Sequence, residues 1–153
     1  MSYVLDSCIF NKLTDGIIDM NDLPSDGPFF ATHIQIDELK ATKDPKRQAA
    51  LLSKFNEVVH PKILPTETFV ADVSHVDCDK VGGGVLFEKL KNSLNLRNKS
   101  KSNNTQDALI AEVANMNGLT LITSDMALSN VAKEHGGKVI FLKPNKNFAS
   151  NRK

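Results

Sequence analysis

Five short apolar runs, separated by stretches with apolar residues at helical spacing, constrain this chain more than any other feature. Tyr3-Val4-Leu5, Phe29-Phe30-Ala31, Ile63-Leu64, Leu119 to Ile122 and Val139 to Leu142 read as strands. After the first, Ile9, Phe10 and Leu13 mark a helix. Thr32 with Gln35 three residues later is a capping-box spacing that opens a helix through about Ala41. Pro45-Lys46 starts another, in which Leu52, Phe55 and Val59 share a face with Leu51 and Val58 beside them, and Pro61 stops it. The run Gly82-Gly83-Gly84 precedes a helix containing Val85, Leu86, Leu90 and Leu94. Thr105 to Asn117 is a helix closed by Gly118, and Thr123-Ser124-Asp125 leads into a last one ending at Gly136-Gly137. Asp15 to Pro28 and Arg97 to Asn104 read as loops, and Thr68 to Val76, with Phe69, Ala71 and Val73, is ambiguous between strand and helix.

Strands alternating with helices predict an α/β fold of three layers, a central parallel sheet of about five strands covered by helices on both faces. At 153 residues one domain is expected, over 1–143, followed by a basic tail at 144–153. The start has no basic n-region and no stretch approaches the ~20 apolar residues of a membrane span, so neither a secretory signal nor a membrane anchor is expected. Cys8 and Cys78 have no CxxC spacing, which disfavours a zinc knuckle or a disulfide framework. A reduced, cytoplasmic protein is the expectation. Net charge is only +1, yet Lys89, Lys91, Arg97, Lys99 and Lys101 form a run without an acid, and the tail adds Lys143, Lys146, Arg152 and Lys153. Such runs hold phosphates or form a solvated face.

In open parallel sheets ligands bind beyond the carboxyl ends of the strands, which directs attention to the acids found there. Asp6 follows the first strand and Asp125 the fourth. Glu38 lies one turn into the helix after the second strand, and Asp107 in the first turn of the helix leading to the fourth. Carboxylates brought together repel unless a cation neutralises them, and Mg²⁺ or Mn²⁺ suits an all-oxygen set. Each acid also has a plainer role open to it. Asp6, Asp107 and Asp125 stand where helix starts favour acids, and Glu38 is a surface residue if its neighbour Asp37 turns inward. His33 packs or is exposed rather than touching substrate, and His60, His75 and His135 have no ligand spacing. Cys8 between apolar neighbours reads as a small buried hydrophobe rather than a nucleophile. The glycine run lacks the Lys-Ser/Thr of a phosphate loop.

The segments around these acids resemble PIN-domain ribonucleases, above all the compact toxins of the VapC type. The resemblance rests on Tyr3-Val4-Leu5-Asp6-Ser7, on Thr32 to Leu39 with its Glu38-Leu39 pair, and most specifically on Asp107 to Ala114 followed by Gly118 to Asp125 with Thr123-Ser124-Asp125. It spans nearly the whole chain in length and element order, while residues 45 to 104 match only in being helical and variable. Met126-Ala127-Leu128 departs from the family, where many members carry an acid and an aromatic. The resemblance implies a Mg²⁺- or Mn²⁺-dependent endoribonuclease in which Asp6, Glu38, Asp107 and Asp125 hold the metal and Ser7 and Thr123 orient them. It further implies a homodimer and a cognate antitoxin that covers the acidic site. Arg97, Lys99 and Lys101 are the expected grip on the RNA backbone. The alternatives are a catalytically silent module that binds RNA or protein, and a nuclease directed at DNA. A receiver-like domain is disfavoured, because it needs paired acids early and a strand ending in Lys.

Overall fold

Every strand pairing in the computed structural model of the protein is parallel, and the strands lie in the order β3-β2-β1-β4-β5. The structure describes residues 1–68, 70, 84–99, 101 and 103–143. In chain order the elements are β1 (Tyr3–Leu5), α1 (Ser7–Thr14), a 3₁₀ turn at Met20–Asp22, β2 (Phe29–Thr32), α2 (His33–Lys40), α3 (Pro45–Val58), β3 (Ile63–Leu64), α4 (Val85–Asn98), α5 (Asn104–Met116), β4 (Thr120–Thr123), α6 (Met126–Glu134) and β5 (Lys138–Phe141). The expected readings of residues 69 and 71–76, of His75, Cys78, Gly82 and Gly83, and of the tail at 144–153 lie outside the described residues.

Short strands suffice here because the central ones are buried on both faces, so each side chain contributes to one of two cores. Tyr3 and Leu5 of β1 point into a core shared with Ile9, Phe10 and Leu13 of α1 and Leu51 and Phe55 of α3. Val4, between them, points the other way, into a core with Leu90 and Leu94 of α4, Leu109 and Ile110 of α5, and Leu128 and Val131 of α6. Neighbours Leu121 and Ile122 of β4 divide between the same two cores. This period of two gives the sheet two apolar faces, each covered by helices among the described residues. Helix α5 is enclosed almost all round, from Asn104 through Ala114, and truncating a fully buried side chain such as Leu109 to Ala costs about 2–5 kcal/mol. No helix among the described residues is long and apolar enough to cross a membrane.

Local differences from the sequence reading have local causes. In α3 it is Leu51, not Leu52, that joins Phe55 in the core, because the helix turns its 51/55 edge toward α1. Arg97 and Asn98 belong to α4 rather than to a loop, and Asn104 already belongs to α5. Helix α4 runs to Lys99, which adopts left-handed φ 57° to end it. Val85 of α4 and Met116 of α5, though apolar, are 72% and 59% exposed.

Candidate active site

The strand order reverses direction at β1, which has β2 on one side and β4 on the other. Loops leaving adjacent strands for opposite faces open a crevice at such a switch point. Asp6 and Asp125 are the acids that follow those two strands, and the Asp6 N–H donates to the Ile122 carbonyl oxygen at 3.0 Å, tying the two strand ends together. Both cap a helix. Asp6 Oδ1 accepts from Ser7 N (2.7 Å) at the start of α1, and Asp125 Oδ1 accepts from Leu128 N (3.2 Å) in α6. Capping and membership of the acidic cluster coexist in these two residues, since a cap uses one carboxylate oxygen and the strand end directs the group into the crevice. Asp107 is not a cap; it sits inside the first turn of α5, whose N-cap is Asn103.

A cavity of about 220 Å³ at this edge is lined by all four acids, Asp6, Glu38, Asp107 and Asp125, and by Ser7, Cys8, Asn11, Lys101 and Asn103. Asp37 turns out to solvent and meets His33 Nδ1 at 3.3 Å, leaving Glu38 as the inward member of the pair. Burial raises the pKa of each enclosed carboxyl. Asp107 is pushed up to about 9, first by burial and then by the charges of Asp6, Glu38 and Asp125. Glu38 is pushed up to about 7 by burial and by the Asp6 charge, against the pull of its hydrogen bond from Ser7. Asp6 is raised by burial, opposed by the donors Cys8, Thr123 and Ser7. A larger cavity of about 350 Å³, lined by Gly84, Val85, Leu86, Lys89, Glu112 and Met116, holds no such convergence of acids. The smaller one is therefore the candidate site.

The supporting pair read from the sequence makes direct contacts. Ser7 Oγ donates to Glu38 Oε1 (2.9 Å), and Thr123 Oγ1 donates to Asp6 Oδ2 (2.8 Å) while accepting from Asp125 N (3.0 Å). Both hydroxyls thus fix a carboxylate by one hydrogen bond. The capping box at Thr32 reaches further than its spacing announced. Gln35 Oε1 accepts from Thr32 N (2.9 Å) while its Nε2 donates to the Leu5 carbonyl (2.9 Å), locking the start of α2 against the end of β1 and so aiming Glu38.

The basic run divides. Arg97 pairs with Glu134 of α6, Lys99 forms the end of α4, and Lys101 alone of the three lines the cavity. His33 is 5% exposed and does not line it, His60 stacks near Phe30, and His135 meets Ser93 Oγ at 2.9 Å. Three cavity residues had no distinguishing sequence signal: Cys8, Asn11 and Asn103. Cys8 is more than a small hydrophobe. Its thiol donates to Asp6 Oδ2 (3.1 Å), lies 3.3 Å from Ser124 Oγ, and is pushed up to about 12 by burial and the Asp6 charge, so it acts as a protonated donor.

The donor set suits a hard divalent cation, being four carboxylates whose charges oppose one another. Their side chains stand around the cavity: among the described residues no three His, Cys, Asp or Glu groups are drawn together tightly enough to hold a metal ion. Both oxygens of Asp6 already accept hydrogen bonds, as does one each of Glu38 and Asp125. A cation would have to gather Asp107 and the remaining oxygens onto itself.

No protein-family model matches the chain, and no curated protein matches it in sequence. Among solved structures the chain is similar to a domain of a functionally unknown protein from Methanocaldococcus jannaschii DSM 2661, at 19% identity, over 93% of this chain and 91% of that one, with a TM-score of 0.50. It is also matched to a member of the VapBC family of toxin–antitoxin systems, VapBC-5, from Mycobacterium tuberculosis, at 18% identity, over 93% of this chain and 98% of that one, with a TM-score of 0.48. The first likeness speaks to the fold alone, and activity has to be argued from the site.

Proposed function

We propose that the protein is a Mg²⁺- or Mn²⁺-dependent endoribonuclease of the PIN-domain type, acting as the toxin of a toxin–antitoxin pair in the cytoplasm. One observation carries the reading: Asp6, Glu38, Asp107 and Asp125 line a single cavity at the switch point of a parallel sheet. A buried carboxylate set of this kind is costly to maintain without a cation, and the sequence resemblance around all four residues supplies the chemistry that uses one. A divalent ion held here would supply positive charge against the developing charge on the scissile phosphate and would lower the pKa of a water bound to it. The chain's own residues do the rest. Asp107 and Glu38 have carboxylate oxygens left to hold the ion, Asp125 contributes its second oxygen, and Asp6 stands beside them. Ser7, Thr123 and Cys8 keep the Glu38 and Asp6 carboxylates oriented. Lys101, the basic residue lining the cavity among the described residues, is available to a phosphate.

The test is incubation of the purified protein with labelled RNA and, separately, with single-stranded DNA, in Mn²⁺, Mg²⁺ or EDTA, beside Asp6→Asn. RNA cleavage that disappears in EDTA and in the variant supports the reading. Cleavage of DNA alone reassigns the substrate. No metal binding by calorimetry and no cleavage of either strand returns the chain to a silent binding module. The proposed homodimer is checked by light scattering, where a monomer at micromolar concentration overturns it. The antitoxin is expected to cover the acidic cavity and protect it from solvent in hydrogen exchange.

A further inference from the structure

The connection between α4 and α5 carries both Lys101 and Asn103 of the cavity wall, and an amide cluster holds that connection in place. Asn104, 2% exposed, opens α5. Its Nδ2 donates to Asn95 Oδ1 (2.7 Å) and to Asn98 Oδ1 (2.7 Å), and its Oδ1 accepts from Asn98 Nδ2 (2.8 Å). Its backbone N–H donates to the Lys101 carbonyl oxygen at 3.1 Å. The Lys101 carbonyl is therefore tied to the backbone of Asn104, whose side chain is in turn tied three ways to the last turns of α4. Helix packing does not call for this. Asparagine is a poor helix former, and a buried amide is destabilising unless its hydrogen-bonding groups are satisfied. Asn103, next along, leaves its Oδ1 buried without a hydrogen-bond partner among the described residues, at the same wall.

A free surface lysine samples many rotamers, and holding its backbone removes part of the entropy lost when its ammonium is captured. Lys101 is the basic residue that shares the cavity with four carboxylates, and its charge draws Glu38 and Asp107 back toward the usual carboxylate range. Arg97, one helical turn earlier, is engaged by Glu134 instead.

We propose that Lys101 is the phosphate-holding residue of the site and that Asn104 is a positioning residue acting through it, the Asn95–Asn98–Asn104 cluster fixing the Lys101 backbone so that its ammonium meets a phosphate of the bound strand. The proposal rests on the nuclease reading above and deepens it by dividing the basic run into one working residue and bystanders.

The probe is a labelled single-stranded RNA oligonucleotide, titrated against the full chain in the Asp107→Asn background with Ca²⁺, so that binding is read without cleavage. Lys101→Ala is expected to weaken binding about tenfold, as for loss of one charge-assisted contact. It should also reduce the slope of log affinity against log salt by about 0.7. Lys101→Arg restores most of the affinity, and Arg97→Ala leaves it within about twofold. Asn104→Ala weakens binding severalfold, and in the double variant with Lys101→Ala no further loss appears. Additive losses overturn the positioning role, and unchanged binding in Lys101→Ala overturns the phosphate role. Asn98→Ala, which removes two of the three side-chain bonds, gives the same cycle if Asn104→Ala melts too early. If the parent protein itself binds no RNA, the nuclease reading fails first; if it binds and Lys101→Ala binds equally, this inference alone fails.

Discussion

Helix α5 buries two carboxylates, Asp107 and Glu112, each 3% exposed, and the protein treats them in opposite ways. Glu112 Oε2 accepts from the Phe87 N–H at 3.1 Å, serving the start of α4, where the N-cap Gly84 has no side chain to offer. Its pKa is raised by burial, with the Thr68 hydroxyl and the Phe87 N–H working against that rise. Asp107 receives no hydrogen bond among the described residues; what faces it is three more carboxylates and the Lys101 charge. Glu112 has a donor on one oxygen while its Oε1 stays buried without a partner among the described residues; Asp107 has a donor on neither. On the proposed function, the stability that Asp107 costs is what a bound cation would return.

That contrast breaks most visibly in activity. Replacing Asp107 by Asn is expected to reduce metal-dependent RNA cleavage by at least about a hundredfold. In EDTA at neutral pH the same variant should be more stable than the parent by roughly 1–3 kcal/mol, because Asp107, pushed up to about 9, has to take up a proton on folding and an amide does not. A variant that is both inactive and less stable would place Asp107 with Glu112, as a structural acid. Next in size is the metal itself. Mn²⁺ at a hundredfold above its dissociation constant should stabilise the parent by about 2.7 kcal/mol in thermal melts, and Asp107→Asn should lose most of that shift.

Glu112 sharpens the comparison from the other side. Glu112→Ala leaves the Phe87 N–H without its acceptor and should cost about 1–3 kcal/mol in denaturant titrations, with metal binding unchanged. Glu112→Gln keeps an acceptor oxygen but no charge. Since the folded pKa lies above the ordinary 4.5, the native state holds the proton more tightly than the unfolded chain, and stability is lost as pH rises above that value. The Gln variant should therefore be slightly the more stable at pH 7 and converge with the parent below about pH 4. A gap that persists in acid would show that amide packing, not charge, sets the difference.

The element order was legible because strand and helix periods are local. Tyr3-Val4-Leu5 announces a buried strand whatever lies beside it, and Thr32 with Gln35 announces a helix start that the structure forms with both hydrogen bonds. The four acids were legible for a related reason, since each stands at a strand end or a helix start and the local motifs around them are specific. Cys8 was misread in part because its neighbours Ile9 and Phe10 are apolar, while its partner Ser124 is 116 positions away. Arg97 was grouped with Lys101 because they share a charge and a short stretch of chain. The helix separates them, one toward Glu134 and the other toward the cavity.

Read alone, the chain establishes its alternation of strands and helices and the candidates for its chemistry, because periodicity, caps and acidic motifs are written within a few residues of one another. It does not establish the order β3-β2-β1-β4-β5, which of two basic neighbours meets the acids, or that Asn104 holds Lys101 while Gln35 holds Leu5. Those depend on which faces bury against which, a balance struck across the whole sheet. The same side chain is a cap, a counter-charge or a bystander according to what the fold brings opposite it.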